Sequence, residues 1–259
     1  MHKCQCSKEC NKPVKHGLYC KEHAIHCPRC QCDPTCTNPP LPHSPFCKKH
    51  QKRCARKAPL SGSEIPFDDT YNKYPGVKES HNCFMYAFNH TDMPKKGKCT
   101  LKSCPLPFAQ PGRTSGYPKW SKVNGKRCPD LIGRLFGDVP GIKITTFTKR
   151  CPKGTRKVAA VIDPKEDYHF YRQDKNGMWS HKPGSTTAVR IDSMGRPIYD
   201  PQLASRYNKD SGLNYKEFCG YLCAPTRKFR FKRGGRFFKK SAQKRQNTKE
   251  TSAKNRGTF

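Results

Sequence analysis

The chain has 259 residues, of which 33% are hydrophobic, so its length allows one or two domains and its composition is too polar for all of it to be packed. The formal net charge of +33 favours a polyanionic partner, with nucleic acid first and an anionic membrane second. No apolar run approaches the roughly 18 residues of a membrane span, and the N-terminus lacks the apolar region of a secretory signal, so we expect an intracellular protein.

Residues 1–57 contain a duplicated Cys/His pattern, in which Cys-x-Cys-x3-Cys precedes Cys-x2-His-x3-Cys in both copies. In a reducing compartment, such a density of cysteines indicates metal binding rather than disulfides. A structural zinc ion takes four nitrogen or sulfur ligands, usually as two closely spaced pairs. The pattern therefore predicts about two zinc ions per chain, with the ligands Cys6, Cys10, Cys20 and His23 in the first copy and Cys32, Cys36, Cys47 and His50 in the second.

Each copy leaves two further cysteines, which are Cys4 and Cys27 in the first and Cys30 and Cys54 in the second. These residues can replace a ligand, enlarge the cluster or pair with each other. A disulfide framework is the alternative to zinc, and the Cys-x2-His ends of the repeats favour zinc. Without metal, a segment so poor in Leu, Ile and Val should not fold.

A helix bearing a cysteine is predicted after a linker. Residues 58–79 contain Pro, Gly and Ser breaks that are typical of linkers. Ser80 is the expected N-cap, which places Cys83 near the third helical position, where the helix dipole lowers the pKa of a thiol. A cysteine beside Phe84 and Met85 is also typical of a buried core residue, so both interpretations stay open.

The segments that follow predict an α+β domain over residues 80–225. Residues 129–137 form a short helix, with proline near its start and glycine at its end. Residues 142–147 alternate as a half-buried strand, and the apolar run 158–162 is typical of a central strand. With a last strand at 215–223, we expect one Cys-bearing helix against a small antiparallel sheet.

Several cysteines of this region match no metal spacing. We interpret Cys128 and Cys151 as unpaired thiols and Cys219 and Cys223 as packing residues. None of them enters the predicted metal sites.

The stretch DYHFYRQDKNGMWSHKPG, residues 167–184, predicts a β-hairpin. Asn-Gly between β-formers is the strongest short hairpin signal, because both turn residues must tolerate positive φ. Such a hairpin brings His169 and His181 to neighbouring positions on paired strands. The two histidines are either functional groups or polar residues of an aromatic-rich sheet surface, and a metal site that includes Cys83 is a further alternative.

The peptides NCFMYAFN, DYHFYRQD and WSHKPG resemble a papain-like family of the NlpC and CHAP types, found in bacteria and in large double-stranded DNA viruses. The resemblance covers about residues 80–225 and implies a cysteine peptidase or amidase. Cys83 would be its nucleophile and His169 its general base. His181 would orient the base, with Asp192 as second choice. The resemblance also implies a viral protein in the host cytoplasm or nucleus, or packaged in the virion.

Residues 226–259 form a basic tail in which thirteen Lys and Arg face one acid, with phenylalanines interleaved. Such a segment cannot bury enough surface to fold alone, so we expect disorder. Lys and Arg side chains can bind phosphates and aromatic rings can stack on bases, so the tail is predicted to bind nucleic acid or another polyanion. The predicted binding residues are Arg227, Lys228, Arg230, Lys232, Arg233, Arg236, Lys239 and Lys240. A nuclear-localisation signal, a tether to an acidic protein or membrane, and solubilisation are the alternatives.

Three functional hypotheses follow. The main one is a cysteine hydrolase of a large DNA virus, stabilised by structural zinc and attached to nucleic acid or to the virion by its basic tail. The second is a non-catalytic structural protein of the virion, in the minor capsid or core, with other virion proteins as partners. The third is a zinc-dependent nucleic-acid-binding protein. The charge and the tail favour the second and third hypotheses, whereas the Cys–His–His order favours the first.

Overall fold

A computed structural model describes residues 2–3, 13–14, 30, 32–33, 36, 38–41, 44–68, 70–73, 77–90, 110–208 and 211–227. Some of the predictions concern residues outside these ranges, namely Cys4, Cys6, Cys10, Cys20, His23 and Cys27 and residues 228–259 of the basic tail. None of the helices in the described ranges is long and apolar enough to cross a membrane.

The described chain is α+β, as the sequence predicts. Its helices are α1 (Gln51–Cys54), α2 (Thr70–Lys73), α3 (Val77–Ser80), α4 (Cys83–Ala87) and α5 (Cys128–Asp138), with a short 3-10 helix at Trp120–Lys122. Its strands are β1 (His2–Lys3), β2 (Pro13–Val14), β3 (Lys143–Thr145), β4 (Thr155–Asp163), β5 (Asp167–Gln173), β6 (Trp179–His181) and β7 (Glu217–Pro225). Strands β1 and β2 pair separately from the other five.

The main sheet is antiparallel, with five strands in the order β3-β7-β4-β5-β6. Strand β4 is central, which the continuous apolar run at 158–162 predicted, because a strand covered on both faces needs apolar residues at every position. The predicted hairpin is confirmed, because β5 and β6 pair with Tyr171 opposite His181. Its turn differs from the expected Asn-Gly pair: the N–H of Gly177 donates to the carbonyl oxygen of Asp174 at 2.8 Å, and Gly177 has a positive φ (+80°) whereas Asn176 does not.

The two faces of the sheet carry different cores, because successive side chains of a strand point to opposite faces. Helices α4 and α5 cover the first face, where the buried side chains include Phe84, Phe88, Leu131, Leu135, Val158, Ala160, Phe170 and Leu222. The second face lies under the loops between β6 and β7, and its buried side chains include Ala159, Val161, Tyr171, Trp179, Ile198 and Tyr221.

The start of the expected linker lies against the second face of the sheet instead of hanging free. Gln173 Nε2 donates to the carbonyl oxygen of Ala58 at 2.7 Å, and Lys157 Nζ donates to that of Pro59 at 2.9 Å. Both donors are buried, and a buried polar group needs a partner. Two short helices, α2 and α3, also lie in the range expected to be a linker. The Pro and Gly pattern carried no information about the buried donors that bind this backbone.

Two disulfides join β7 to distant parts of the chain, which corrects the interpretation of their cysteines as unpaired or packing residues. Cys219 is bonded to Cys128 at the start of α5, with 4.9 Å between the Cα atoms. Cys223 is bonded to Cys151, with a Cα separation of 5.5 Å. The partners are 91 and 72 residues apart in sequence, so no local spacing could reveal them.

Candidate functional site

Four buried side chains of the second Cys/His repeat converge: Cys30, Cys36, Cys47 and His50. Their ligand atoms all lie within 4.8 Å of one another. The Sγ of Cys30 is 3.3 Å from Nδ1 of His50, and the two sulfurs of Cys36 and Cys47 are 3.8 Å apart. Three sulfurs and one imidazole are the donor set of a closed structural metal site, so this group can hold a metal ion.

Local backbone geometry explains why two of the four side chains, those of Cys47 and His50, lie close together. The carbonyl oxygen of Cys47 accepts from the backbone N–H groups of His50 and Gln51, both at 2.9 Å, in a tight turn that leads into α1. This turn brings the two ligands of the Cys-x2-His pair to the same side of the chain. Phe46 is buried beside them, and its ring lies 5.5 Å from that of Tyr199, so the cluster packs against the main domain.

The converging set differs from the expected one at one position. Cys32 is bonded to Cys54 in a disulfide, with 5.5 Å between their Cα atoms, and Cys30 stands in the cluster in its place. Only one residue separates Cys30 from Cys32, so both satisfy the spacing of a zinc ligand and the sequence left their exchange open. The first repeat, with Cys6, Cys10, Cys20 and His23, lies outside the described residues.

Cys83 is the first residue of α4 and its thiol is buried. The side chain of Asn82 caps the helix by accepting from the N–H of Met85 at 3.1 Å, whereas Ser80, the expected cap, ends α3. The Sγ of Cys83 donates to the carbonyl oxygen of Tyr168 at 3.9 Å. Burial raises the pKa of this thiol well above its usual range, so the group is protonated at neutral pH. An activated nucleophile needs the opposite shift.

His169 faces away from Cys83. Cys83 belongs to the core on the first face of the sheet, with Tyr168 and Phe170, whereas the ring of His169 contacts Tyr171 and Tyr215 on the second face. A nucleophile and its base must lie within hydrogen-bonding distance. Across the described part of the chain, no hydrogen bond joins the two side chains. The geometry therefore departs from the expected Cys83–His169 pair.

The two histidines do meet. His169 Nε2 lies 2.8 Å from His181 Nδ1, and His181 Nε2 lies 2.9 Å from the carbonyl oxygen of Ile191. Burial lowers the pKa of His181 to about 4, and it lowers the pKa of His169 well below its ordinary value, with the neighbouring His181 adding to the shift. Both rings are therefore neutral at neutral pH.

Asp192 organises a loop rather than orienting His169. Its carboxylate accepts from the backbone N–H groups of Met194 and Arg196 at 2.9 Å and from that of Ser205 at 3.1 Å. The nitrogens of His181 are engaged by His169 and by the carbonyl oxygen of Ile191. The charge of Asp192 does raise the pKa of His181, against the larger effect of burial.

A cavity of about 650 Å³ opens beside the histidine pair. Its lining includes Asp167, His169, Tyr171, His181 and Tyr215. The hydroxyl of Tyr215 donates to Asp167 at 2.9 Å. The walls come from β5, β6 and the loops up to β7, so the hairpin sequence indicated the histidines but nothing in it indicated a cavity.

Of the predicted tail residues, the described part of the chain contains Arg227 alone. It is exposed and lies two residues after Pro225, the last residue of β7. The other seven, Lys228, Arg230, Lys232, Arg233, Arg236, Lys239 and Lys240, lie outside the described residues. The nucleic-acid role of the tail therefore stays a prediction from composition.

Comparison with known proteins gives a different context from the expected viral one. The chain is 34% identical over 148 residues to insoluble matrix shell protein 1 of Ruditapes philippinarum, a match that covers 56% of this chain and 80% of that protein. The chain belongs to the family of this shell protein. No family model and no solved structure matches it. The relative is not viral, and its name describes a matrix protein rather than a hydrolase.

Proposed function

We propose that this chain is a non-catalytic structural protein of an insoluble extracellular matrix. The observation that carries the proposal is the match to 80% of the length of insoluble matrix shell protein 1. The proposal retains the structural alternative of the sequence analysis and replaces the virion by a matrix. It takes the place of the hydrolase as the leading hypothesis.

The three disulfides among the described residues support an extracellular setting. Cys32–Cys54, Cys128–Cys219 and Cys151–Cys223 all join cysteines in different parts of the chain. Disulfides form and persist in oxidising compartments and are rare in the cytosol. This chemistry favours secretion over the intracellular location expected from the sequence.

The state of Cys83 supports a role without catalysis. Its thiol is buried among apolar side chains and donates to the carbonyl oxygen of Tyr168. The histidine expected to activate it lies on the other face of the sheet. A buried cysteine of this kind behaves as a small apolar core residue.

Zinc is the ion that we propose for Cys30, Cys36, Cys47 and His50. Thiolate and imidazole ligands suit zinc, and a fully protein-bound set of four is typical of its structural sites. When bound, the ion would supply a cross-link and no chemistry. The four side chains would hold the irregular chain around Phe46 against Tyr199, where few apolar residues are available to do so.

The positive charge supports a polyanionic partner. With 52 Lys and Arg against 19 Asp and Glu, the chain attracts any acidic polymer at low ionic strength. In a matrix, this partner would be an acidic macromolecule, contacted by the basic residues after Pro225. Nucleic acid remains the alternative partner, and the salt dependence of binding would be steep for both.

Localisation tests the proposal directly. An antibody against the full chain would be used on tissue of its source, fractionated into cell extract, salt-soluble matrix and residue that only denaturant dissolves. We expect the chain in the insoluble extracellular residue, oxidised at its disulfides. Recovery of the chain only from the soluble contents of cells would overturn the proposal.

A further inference from the structure

We propose that the cavity beside the hairpin is a binding site for a neutral saccharide unit, recognised through Nδ1 of His169. The inference stands on the cavity alone and does not require the matrix role. It concerns groups that the structural function leaves unused: a histidine pair, two tyrosine rings and a space of about 650 Å³. Cavities of this size commonly enclose a small ligand.

The hydrogen bonds fix which nitrogen of His169 carries the proton. A backbone carbonyl can only accept, so His181 Nε2 donates to the oxygen of Ile191. His181 is neutral, which leaves its Nδ1 without a proton, so His169 Nε2 must donate to it. His169 is neutral as well, and its single proton is therefore on Nε2. Its Nδ1 carries a lone pair.

This lone pair has no hydrogen-bond donor among the described residues, although only 5% of His169 is exposed. The nitrogen itself is not fully buried, so water in the cavity can donate to it when no ligand is bound. His169 lines the cavity, which is where a partner can reach it. A ligand that displaces this water must offer a hydrogen-bond donor, because the nitrogen can only accept.

The charges around the cavity favour a neutral donor. An anion would lie near the negative charge of Asp167, which lines the cavity. The guanidinium of Arg206, also in the lining, is directed at backbone carbonyls, including that of Tyr215 at 2.7 Å. A cation is not favoured either, because the carboxylate oxygens of Asp167 already accept hydrogen bonds from the N–H of Tyr168 and the hydroxyl of Tyr215.

The walls favour a ligand with both apolar faces and hydroxyl groups. Tyr171 and Tyr215 line the cavity beside His169, and so do Ser193 and Ser205, whose hydroxyls are hydrogen-bonded to each other at 2.8 Å. A pyranose ring presents C–H groups to aromatic faces and O–H donors at its edge. An acetamido substituent adds an N–H donor that fits the lone pair of His169.

Calorimetric titration of the full, oxidised, zinc-loaded chain with N,N′-diacetylchitobiose tests the inference. Wild-type protein should bind with saturation, and the 15N resonance of His169 Nδ1 should shift as the site fills. Replacement of His169 by leucine should weaken binding about tenfold or more, through loss of one buried hydrogen bond. His169→Gln, whose amide can donate to His181 and accept from the ligand, should retain part of the affinity.

The matched control is His90→Leu, the same change at a buried histidine outside the cavity. It should leave the affinity unchanged, which separates loss of recognition from general destabilisation. If His169→Leu does not fold, the 15N shift in the wild type decides the outcome. The inference is overturned if the disaccharide leaves that resonance unmoved, or if only glucuronate, putrescine or N-acetyl-dialanine amide binds. Affinity equal to wild type in folded His169→Leu would also overturn it.

Discussion

Cys83 and His169 lie on opposite faces of the same sheet, although the thiol of Cys83 touches the backbone of the strand that carries His169. The sulfur is 3.9 Å from the carbonyl oxygen of Tyr168, the residue immediately before the histidine. Side chains alternate along a strand, so a difference of one position decides which face a histidine occupies. Here the alternation puts Tyr168 and Phe170 toward the thiol and His169 toward the cavity.

Cys83 should be chemically inert in the folded protein. Because burial raises the pKa of its thiol, we expect slow alkylation by iodoacetamide between pH 7 and 9 and no plateau that would mark a titrating thiolate. The rate would be followed by mass spectrometry of the Cys83 peptide. His169→Ala should leave this rate unchanged, since the two side chains do not touch. Fast alkylation that slows in the variant would instead support the hydrolase hypothesis.

Zinc content should depend on Cys30 and not on Cys32. Cys30→Ser removes a ligand from the cluster, so the purified chain should lose about one equivalent of zinc. The double variant Cys32→Ser/Cys54→Ser removes a disulfide without changing the cluster, and it is the matched control. Elemental analysis of all three proteins gives the answer. Loss of the equivalent only in the double variant would restore the ligand set expected from the sequence.

The two disulfides of the main domain should contribute strongly and almost equally to stability. Their partners are 91 and 72 residues apart, and in the chain-entropy model loops of this length are worth about 4–5 kcal/mol. We expect Cys128→Ser/Cys219→Ser and Cys151→Ser/Cys223→Ser each to lower the free energy of unfolding by about 3–4 kcal/mol, less than the full amount because the remaining disulfide already shortens the loop. Denaturant titration monitored by tryptophan fluorescence measures it. A loss below about 1 kcal/mol in both would show that the bonds are dispensable.

Acid should destabilise the domain through His181. Its pKa is about 4 in the folded state, below the ordinary value of 6.5, so the unfolded chain takes up the proton first as the pH falls. The contribution is complete above pH 6.5 and is lost toward pH 4, and it amounts to about 3 kcal/mol. His181→Gln should remove this part of the pH dependence. Parallel stability curves for the two proteins from pH 7 to pH 4 would contradict the assignment.

The sequence predicted what depends on local pattern. The hairpin of β5 and β6, the central strand at 158–162 and the helix after Arg127 are all present, because turn chemistry and apolar periodicity act over a few residues. The meeting of His169 and His181 follows from the same hairpin.

Features that depend on partners distant in sequence could not be predicted from the sequence. Cys128 and Cys219 match no motif, since their pairing arises only when α5 packs on β7. The choice of Cys30 over Cys32 depends on where Cys54 lies, not on spacing. The direction of His169 depends on which face α4 covers, and neither the Cys–His order nor the resemblance to papain-like proteins contains that information.

Both disulfides of the main domain end on β7, the strand from which the basic residues at the end of the chain emerge. A pull on the chain beyond Arg227 would break the pairing of Pro225 and Ala224 with β4 and would then reach Cys223, followed by Cys219. Each of these two cysteines passes the load through a covalent bond, to Cys151 and to the start of α5. The strand therefore cannot be peeled from the domain by breaking hydrogen bonds alone. If the end of the chain is attached to a solid, β7 would therefore transmit the force to the whole domain through two covalent bonds.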